Sequence, residues 1–262
     1  MIKDLNLSIT WQNVPPDVKG TYERIGNMYL RHGKYNLAVN EFEKLLPINK
    51  ETANYKIGTI YQVEGHYEKA IKYFKKALEI NNRNAEIHQS LGFCYLELKR
   101  YKSAVKEFKE ALRINPNNSQ NHQGIGNAYW CQNKYDSAIK HIERAVVLNE
   151  NNMAARQQLV HCYIEKGDYE LRRGKYGQAI KYFKKGLKLD GKNVDVHKGL
   201  GFSYLMQKKY VLAVKEFKKA LRIDPKCSRA SQGLGDTYCC IKEYNLATRY
   251  LEKSVMLDPD NK

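Results

Sequence analysis

One short motif recurs along this 262-residue chain at a nearly constant interval. A tyrosine is followed three residues later by an alanine seven times, with intervals of 32, 34, 34, 41, 34 and 34 residues between copies. A period of this length indicates a supersecondary unit that cannot bury its apolar face alone and has to stack on its neighbours. The copies are Tyr35/Ala38, Tyr67/Ala70, Tyr101/Ala104, Tyr135/Ala138, Tyr176/Ala179, Tyr210/Ala213 and Tyr244/Ala247.

The residues around each copy share a second pattern with helical spacing. A tyrosine stands nine residues before every alanine except Ala179, a glycine precedes that tyrosine by three residues, and Ile or Leu precedes the glycine. A bulky apolar residue, usually Phe, follows each alanine by four residues. Steps of three and four residues lie on one helix face. We therefore predict an all-α fold with two amphipathic helices per unit, separated near Gly33, Gly65 or Gly174.

These features resemble the tetratricopeptide repeat family, whose 34-residue unit is a helix, a turn and a second helix. The resemblance covers about residues 19–262, with departures: His88, His122 and His197 replace the family's Trp, and the terminal Pro occurs in only three units. It implies a right-handed α-solenoid of seven helix–turn–helix units, whose first helices line a concave groove. It also implies a binding role, usually for peptide segments or partner subunits.

The repeat predicts the organisation of the whole chain. An N-terminal extension, residues 1–18, contains Trp11, Val14 and Pro15-Pro16, which either cap the first helix pair or are disordered. The predicted units are residues 19–50, 51–84, 85–118, 119–152, 153–193, 194–227 and 228–262. The last helix, about residues 244–257, is expected to expose Val255, Met256 and Leu257 in part, and an exposed apolar end favours end-to-end association.

The fifth unit is seven residues longer than its neighbours, which is nearly two helical turns and keeps the helix faces in phase. We place its turn at Gly174 and predict a first helix from about Met153 to Arg172. Leu159, Val160 and Tyr163 are expected to pack on the fourth unit in place of the usual Leu-Gly-x-x-Tyr. Gly167 inside that helix is expected to cost about 1 kcal/mol relative to alanine.

The charge balance is strongly basic, with 45 Lys and Arg against 28 Asp and Glu and a net charge of +17. Lysines crowd the second helices, which the resemblance places on the convex side. They act either as a solvated face that keeps the protein soluble or as an attraction to nucleic acid, anionic lipid or an acidic partner. No run of 18 apolar residues and no secretory signal are present, so we expect a cytoplasmic protein without a membrane span.

Catalytic and metal-binding patterns are missing from the sequence. It contains no Gly-rich phosphate loop, no H-E-x-x-H and no G-x-S-x-G, so we predict no enzymatic activity and no cofactor. The six cysteines are scattered without a C-x-x-C pair, which favours free thiols. His88, His122 and His197 occupy one repeat position, which favours packing and capping roles, and no metal is expected.

The resemblance implies that ligand contacts come from the groove face of each first helix. Amides there can hydrogen-bond the backbone of an extended peptide and aromatics can anchor it, although the same residues can also be ordinary solvated positions. Family members that grip a C-terminal carboxylate use a Lys/Asn/Arg clamp, and this pattern is absent. The candidate residues are Asn27, Tyr55, Gln62, Gln89, Phe93, Gln123, Asn127, Trp130, Gln157, His161, Lys198, Phe202, Gln232 and Asp236.

Three functions are consistent with the sequence. The favoured one is a protein–protein interaction scaffold that binds a peptide segment or partner subunit in the groove. The first alternative is binding of nucleic acid, such as RNA, or of an anionic surface through the basic convex face. The second is a self-assembling structural module joined through uncapped ends. A neutral, amide-lined groove favours peptide binding, whereas a basic concave track would favour nucleic acid.

Overall fold

The computed structural model of the chain describes residues 16–258. Within this range the protein consists of α-helices in seven tandem pairs and contains no strand, which confirms the all-α repeat fold. Odd-numbered helices are the first helices of the pairs and even-numbered helices are the second helices. The helices are α1 Pro16–Arg31, α2 Tyr35–Glu43, α3 Lys50–Val63, α4 Tyr67–Leu78, α5 Ala85–Glu97, α6 Tyr101–Ile114, α7 Ser119–Trp130, α8 Tyr135–Leu148, α9 Met153–Arg172, α10 Tyr176–Leu189, α11 Val194–Met206, α12 Tyr210–Ile223, α13 Ser228–Cys240 and α14 Tyr244–Leu257.

The helices are divided between two compact units. The N-terminal unit ends at Lys134 and contains α1 to α7, and the C-terminal unit begins at Tyr135 and contains α8 to α14. Within each unit every helix packs against the next one in the chain. First helices also contact the next first helix: α3, α5 and α7 in the N-terminal unit, and α9, α11 and α13 in the C-terminal unit. Each unit therefore has a face made of first helices.

The repeated tyrosine–alanine motif marks the start of each second helix. All seven second helices begin at the tyrosine of the motif. The motif alanines are buried, and the Phe or Ile four residues later in six of the seven copies is fully buried. The motif thus brings a small residue to the helix crossing and fills the space beside it with a large one, as expected.

Glycines on two first helices enclose the phenylalanine between them. In the N-terminal unit, a Cβ added to Gly92 of α5 or Gly124 of α7 would lie only 2.6 or 2.5 Å from the ring of Phe108. In the C-terminal unit Phe217 is enclosed in the same way by Gly201 and Gly233. Both helix backbones closely approach the ring, and a side chain at either glycine would clash with it.

Asparagine side chains begin most first helices. An Asn side chain accepts a hydrogen bond from a backbone N–H of the first turn in α3, α5, α7, α9 and α11, which satisfies one of the donors left free at a helix start. Cys227 stands at this position in α13 and makes no side-chain cap. Asn193 and Cys227 both have extended backbones, so the difference between the two helix starts lies in the side chain.

The turn inside each pair requires a left-handed backbone conformation. Gly33, Gly65 and Gly174 have φ values of 68, 77 and 72°, which confirms the predicted separation of the helices at these glycines. In the other four pairs, lysine or asparagine adopts the same conformation, with φ between 56 and 64° at Lys99, Asn133, Lys208 and Lys242. Non-glycine residues pay a steric cost in this region.

Helix α9 is continuous from Met153 to Arg172, as predicted for the first helix of the long fifth repeat. The predicted replacement of the Leu-Gly-x-x-Tyr pattern is wrong, however. Gly167 stands sixteen residues before Phe183, as Gly201 stands before Phe217, and its backbone contacts the Phe183 ring. The repeat register is therefore preserved in α9, and its extra seven residues lie at the start of the helix.

The sequence pattern did not reveal this register, because Lys166 and Glu170 occupy the positions where the other first helices have an aliphatic residue and a tyrosine. The expected cost of Gly167 relative to alanine is also wrong, since a Cβ there would lie 2.7 Å from the Phe183 ring. Leu159, Val160 and Tyr163 are nevertheless buried as predicted. The Tyr163 hydroxyl donates a hydrogen bond to Glu143 of α8. Burial is the main cause that raises the pKa of Tyr163, and this hydrogen bond is the second.

The chain ends bear on two further predictions. Helix α1 begins at Pro16, and Trp11 and Val14, the residues expected to cap it or be disordered, lie outside the described residues. At the other end, the exposed fractions of Val255 and Met256 are 59% and 80%, and Leu257 is half-buried, as expected. Among the described helices none has the length and apolar character to cross a membrane, and the cytoplasmic location stays a prediction.

Candidate functional site

Eight of the predicted groove residues belong to the N-terminal unit. The structure places all of them on first helices, and all are half-buried. Asn27 also lines a small cleft of about 240 Å³ along α1. These residues are Asn27, Tyr55, Gln62, Gln89, Phe93, Gln123, Asn127 and Trp130.

Two of the predicted amides already have partners within the protein. Asn27 accepts a hydrogen bond of 3.3 Å from the Lys56 ammonium of α3. Gln89 donates to Gln120 at 2.8 Å and accepts from Asn118 at 3.0 Å. These bonds tie neighbouring first helices together, so part of the predicted amide lining has a structural role.

The predicted phenylalanines also contact the core. Phe93 packs edge-on against Phe108, with ring centroids 5.1 Å apart and an interplanar angle of 81°. Phe202 packs on Phe217 in the same way, at 5.0 Å and 80°. This geometry is the favoured one for aromatic pairs and gives both residues a packing role. Both are half-buried, so each still presents apolar surface on the first-helix face.

The first-helix face of the C-terminal unit contains a cleft beside the extra turns of α9, here called the overhang cleft. Its volume is about 640 Å³. One wall belongs to the first half of α9, and the other belongs to the end of α10, the following turn and the start of α11. The lining residues are Met153, Arg156, Gln157, Val160, His161, Ile164, Leu189, Asp190, Asn193 and Asp195.

A second cleft of about 680 Å³ lies on the same face, here called the arginine cleft. It extends from the end of α9 across α11 to the first turn of α13. Its lining combines basic side chains with a broad apolar surface. The lining residues are Asp168, Leu171, Arg172, Gly174, Tyr176, Lys198, Gly199, Phe202, Met206 and Arg229.

Four of the six remaining predicted residues lie in these clefts. Gln157 and His161 line the overhang cleft, and Lys198 and Phe202 line the arginine cleft. The other two, Gln232 and Asp236, lie half-buried on α13 and line neither cleft. Burial raises the pKa of Asp236.

The repeat register places the α9 counterparts of Lys198 and Phe202 two turns later than Gln157 and His161. Lys198 and Phe202 stand three residues before and one residue after Gly201, and the matching positions around Gly167 are Ile164 and Asp168. The sixteen-residue spacing from Gly167 to Phe183, which matches that from Gly201 to Phe217, is the sequence signal that identifies Ile164 and Asp168. Gln157 and His161 lie seven residues earlier, which keeps them on the same helix face.

Two arginines of the arginine cleft were also missed. Arg172 lies in the last turn of α9 and Arg229 in the first turn of α13, outside the repeat positions that the family resemblance marks as ligand contacts. Both side chains are exposed, and neither makes a hydrogen bond or an ion pair within the described part of the chain. No sequence signal singled them out among 45 basic residues.

Asp168 is the one acidic residue that lines the arginine cleft. Burial and the nearby Glu165 carboxylate raise the pKa of Asp168, while Lys198 and Arg172 oppose the rise. Lys198 forms an ion pair with Asp195, one turn earlier on α11. The cleft lining therefore carries three cations and one carboxylate, with the carboxylates of Glu165 and Asp195 nearby, and neither arginine forms an ion pair within the described residues.

Two of the three histidines at the shared repeat position, His88 and His197, have structural roles of the predicted kind. His88 Nδ1 lies 2.7 Å from Glu107 of α6, and its Nε2 lies 3.2 Å from the Asn82 carbonyl. His197 repeats this arrangement with Glu216 and Gly191. Residues 16–258 contain no group of three His, Cys, Asp or Glu side chains suited to a metal ion.

Comparisons with known proteins agree with this architecture. Sequence models of the tetratricopeptide repeat match residues 64–125, 119–152 and 170–234, together more than half of the chain. No match was found among curated protein sequences.

Solved structures give the same fold. A tetratricopeptide repeat protein from Parabacteroides merdae is 17% identical with a TM-score of 0.54, and 94% of this chain and 95% of that chain align. The C-terminal part of one from Cytophaga hutchinsonii is 21% identical with a TM-score of 0.58, over 78% of each chain. YrrB, described as having an unusual peptide-binding site, is 19% identical with a TM-score of 0.53, over 72% of this chain and 93% of its own. With the sequence models covering more than half of it, the chain belongs to the tetratricopeptide repeat family.

Proposed function

We propose that this protein is an interaction scaffold that binds a peptide segment or a partner subunit on its first-helix faces. The observation that carries the proposal is the pair of open clefts on one such face, each with apolar side chains beside charged ones. Both volumes lie in the range of ligand pockets, roughly 300–1,000 Å³. The proposal includes no catalytic role, because the sequence contains none of the catalytic motifs considered above.

The chemistry of the clefts suits a polypeptide ligand. In the overhang cleft Val160, Ile164 and Leu189 supply apolar surface, while Arg156 and Asp190 supply charge. A folded or extended segment offers both apolar side chains and backbone amides to such a site. YrrB, a protein of similar fold, is described as having an unusual peptide-binding site, which supports the proposal without identifying a partner.

Capture of partners from native lysate tests the proposal. We expect the wild-type protein to retain a reproducible set of proteins, and we expect Trp130→Ala and Phe202→Leu to lose part of this set. Trp130 and Phe202 lie on the first-helix faces of the N-terminal and C-terminal units respectively. Leucine at position 202 keeps an apolar contact with Phe217 while it removes the aromatic surface.

The matched control is Lys106→Ala, which removes an exposed side chain from the second helix α6. Circular dichroism has to show native helix content in all variants. If the variants on the first helices recover the same partners as Lys106→Ala and the wild type, the first-helix faces do not bind the partner and the proposal fails.

A second candidate function is binding of a nucleic acid or an anionic surface through the second helices of the C-terminal unit. Helix α10 carries four lysines and no acidic residue, and α12 carries four basic residues and one glutamate. Salt bridges engage two of these lysines, Lys185 with Glu143 and Lys219 with Glu216. The other six basic side chains have no ion pair within the described residues.

The aromatic residues of the second helices weaken this candidate. Tyr73 stacks on Tyr61 at 5.5 Å, and Tyr250 stacks on Tyr238 at 5.8 Å. Each ring is half-buried, and one of its faces is occupied by a tyrosine of the preceding first helix. Base stacking, which binds single strands without sequence preference, needs such faces to be open.

Titration with a single-stranded RNA distinguishes the two candidates. If the RNA binds tightly at physiological salt and its affinity falls steeply as salt rises, the second candidate gains support. If Lys181→Gln/Lys184→Gln leaves that affinity unchanged, the second helices are not the binding surface. We expect weak RNA binding, since a peptide ligand is the favoured one.

Self-association stays a prediction with a direct test. Val255 and Met256 of α14 are exposed, and a second copy of the chain would cover their apolar surface. Sedimentation coefficients that rise with protein concentration would support association. A Val255→Lys/Met256→Lys variant that still associates would show that another surface is responsible.

A further inference from the structure

We infer that the arginine cleft binds an acidic peptide segment that also carries a bulky apolar side chain. The inference rests on the proposed function and names the chemical class of the ligand. Its basis is the combination of unpaired guanidinium groups and exposed apolar surface within one cleft of about 680 Å³. The cleft lies on three successive first helices of the C-terminal unit, so a single ligand can contact all three.

The cleft leaves two guanidinium groups without an ion pair. Its lining holds Arg172, Lys198 and Arg229 beside Asp168. Burial and the nearby carboxylates of Glu165 and Asp195 raise the pKa of Asp168. The ammonium of Lys198 already pairs with Asp195, whereas Arg172 and Arg229 have no hydrogen bond or ion pair among the described residues. A guanidinium presents a planar fork of donors that matches a carboxylate in a two-point contact. Two ligand carboxylates, one at each arginine, would complete the missing pairs.

The apolar part of the cleft determines the second half of the ligand. Met206 is 53% exposed, and Phe202 and Leu171 are half-buried beside it. A bulky apolar side chain of the ligand would cover this surface and remove it from water. The ring of Phe202 packs on Phe217, so it adds apolar area and not a free face for base stacking.

The rest of the protein favours the same ligand. A net charge of +17 attracts anionic partners over long range and raises the rate at which they encounter the surface. The unpaired arginines would then hold the ligand in one register, and the apolar contact would supply much of the affinity.

Selection from a library of random twelve-residue peptides tests the inference on the full-length protein. We expect peptides retained by the wild type to be enriched in Asp and Glu next to a bulky apolar residue. We expect this enrichment to disappear for Arg172→Gln/Arg229→Gln. Both side chains are exposed and make no bond within the described residues, so the variant retains the packing of the fold.

A matched control removes the same charge elsewhere. Lys188→Gln/Arg222→Gln takes two exposed basic residues from the second helices α10 and α12. For a selected peptide, we expect the cleft variant to lose about tenfold or more in affinity and the control about twofold or less. Replacing the peptide's Asp and Glu by Asn and Gln should reduce affinity for the wild type to a similar degree as the cleft variant does.

Three outcomes would overturn the inference. They are an absence of retained peptides, a retained pool without acidic enrichment, and an equal loss of affinity in the cleft and control variants. The proposed function is tested separately by the capture from lysate. If first-helix variants lose native partners while selected peptides show no preference for acidic residues, the scaffold function stands and the ligand class proposed here is wrong.

Discussion

Lys166 and Glu170 form an ion pair where the other first helices carry an aliphatic residue and a tyrosine. The Lys166 ammonium lies 3.0 Å from Glu170 and 3.1 Å from Asp136 of α8. The exposed fractions of the Lys166 and Glu170 side chains are 9% and 8%, and the second oxygen of Glu170 has no partner. Burial lowers the pKa of Lys166, but the bonds to Glu170 and Asp136 outweigh it and raise the pKa above its usual value. The stabilisation from this shift is therefore present at neutral pH and lost only above the usual lysine range.

Single and double replacements at this pair should have opposite effects. Lys166→Leu leaves Glu170 buried without its cation and is expected to cost about 3–5 kcal/mol of unfolding free energy. Lys166→Leu/Glu170→Tyr restores the residue types of the other units, and we expect it to be as stable as the wild type or more so. Urea unfolding of both variants measures the difference. Equal destabilisation by the single and double replacements would show that the pair is itself a net source of stability.

Gly199 and Gly177 both lie within helices but have different surroundings. A Cβ at Gly199 would lie 2.3 Å from the Phe183 ring, whereas at Gly177 the nearest atom would be 3.9 Å away, on Gln207. Gly199→Ala should cost about 1–3 kcal/mol because it overpacks the ring. Gly177→Ala should stabilise by about 0.5–1 kcal/mol because alanine loses less backbone entropy. Thermal unfolding midpoints that move in opposite directions would agree with this, and a stabilising Gly199→Ala would contradict it.

At the scale of helices, α13 is the one first helix from α3 onward whose start lacks a side-chain cap. Asn193 accepts a hydrogen bond from the Val196 N–H in α11, and Cys227 makes no such bond in α13. We expect Cys227→Asn to stabilise the protein by about 1 kcal/mol and Asn193→Ala to destabilise it by a similar amount. Hydrogen exchange at the first turns of α11 and α13 would locate the effects. A Cys227→Asn variant with faster exchange in α13 would contradict the prediction.

The helices that conform to the repeat pattern could be predicted from the sequence, whereas those that depart from the pattern could be predicted less well. Second helices begin at the motif tyrosines because the same residue types recur at the same spacing, and periodicity reveals that directly. In α9, Lys166 and Glu170 interrupt the apolar pattern, so its register depends on the contact of Gly167 with Phe183. The arginine cleft joins residues of three helices, and no local pattern in the sequence brings Arg172 and Arg229 together.

At the scale of the whole molecule, the six cysteines divide by burial, and none forms a disulfide. Burial raises the pKa of Cys94 and of Cys162 to about 12, so almost no thiolate is present at neutral pH. Cys131, Cys239 and Cys240 are exposed. We expect a thiol reagent to modify these three rapidly in the native protein and to reach Cys94 and Cys162 only after unfolding. Peptide mapping of the modified protein checks the assignment, and rapid labelling of Cys162 would contradict its burial.

The net charge of +17 should also act on stability, because like charges repel within a compact fold. The repulsion is strongest where basic residues lack acidic neighbours, as on α10. Raising sodium chloride from about 0.05 to about 0.5 M shortens the range of this repulsion to a few ångströms, so the thermal unfolding midpoint should rise by a few degrees. Lys181→Gln/Lys188→Gln should raise the midpoint at low salt and make it respond less to added salt. Helix α8 contains a single lysine, Lys140, which has acidic neighbours. Lys140→Gln therefore serves as the control and should change the unfolding midpoint little. If salt lowers the midpoint instead, attractive ion pairs such as Lys185 with Glu143 outweigh the repulsion, and the basic surface is balanced by its own partners.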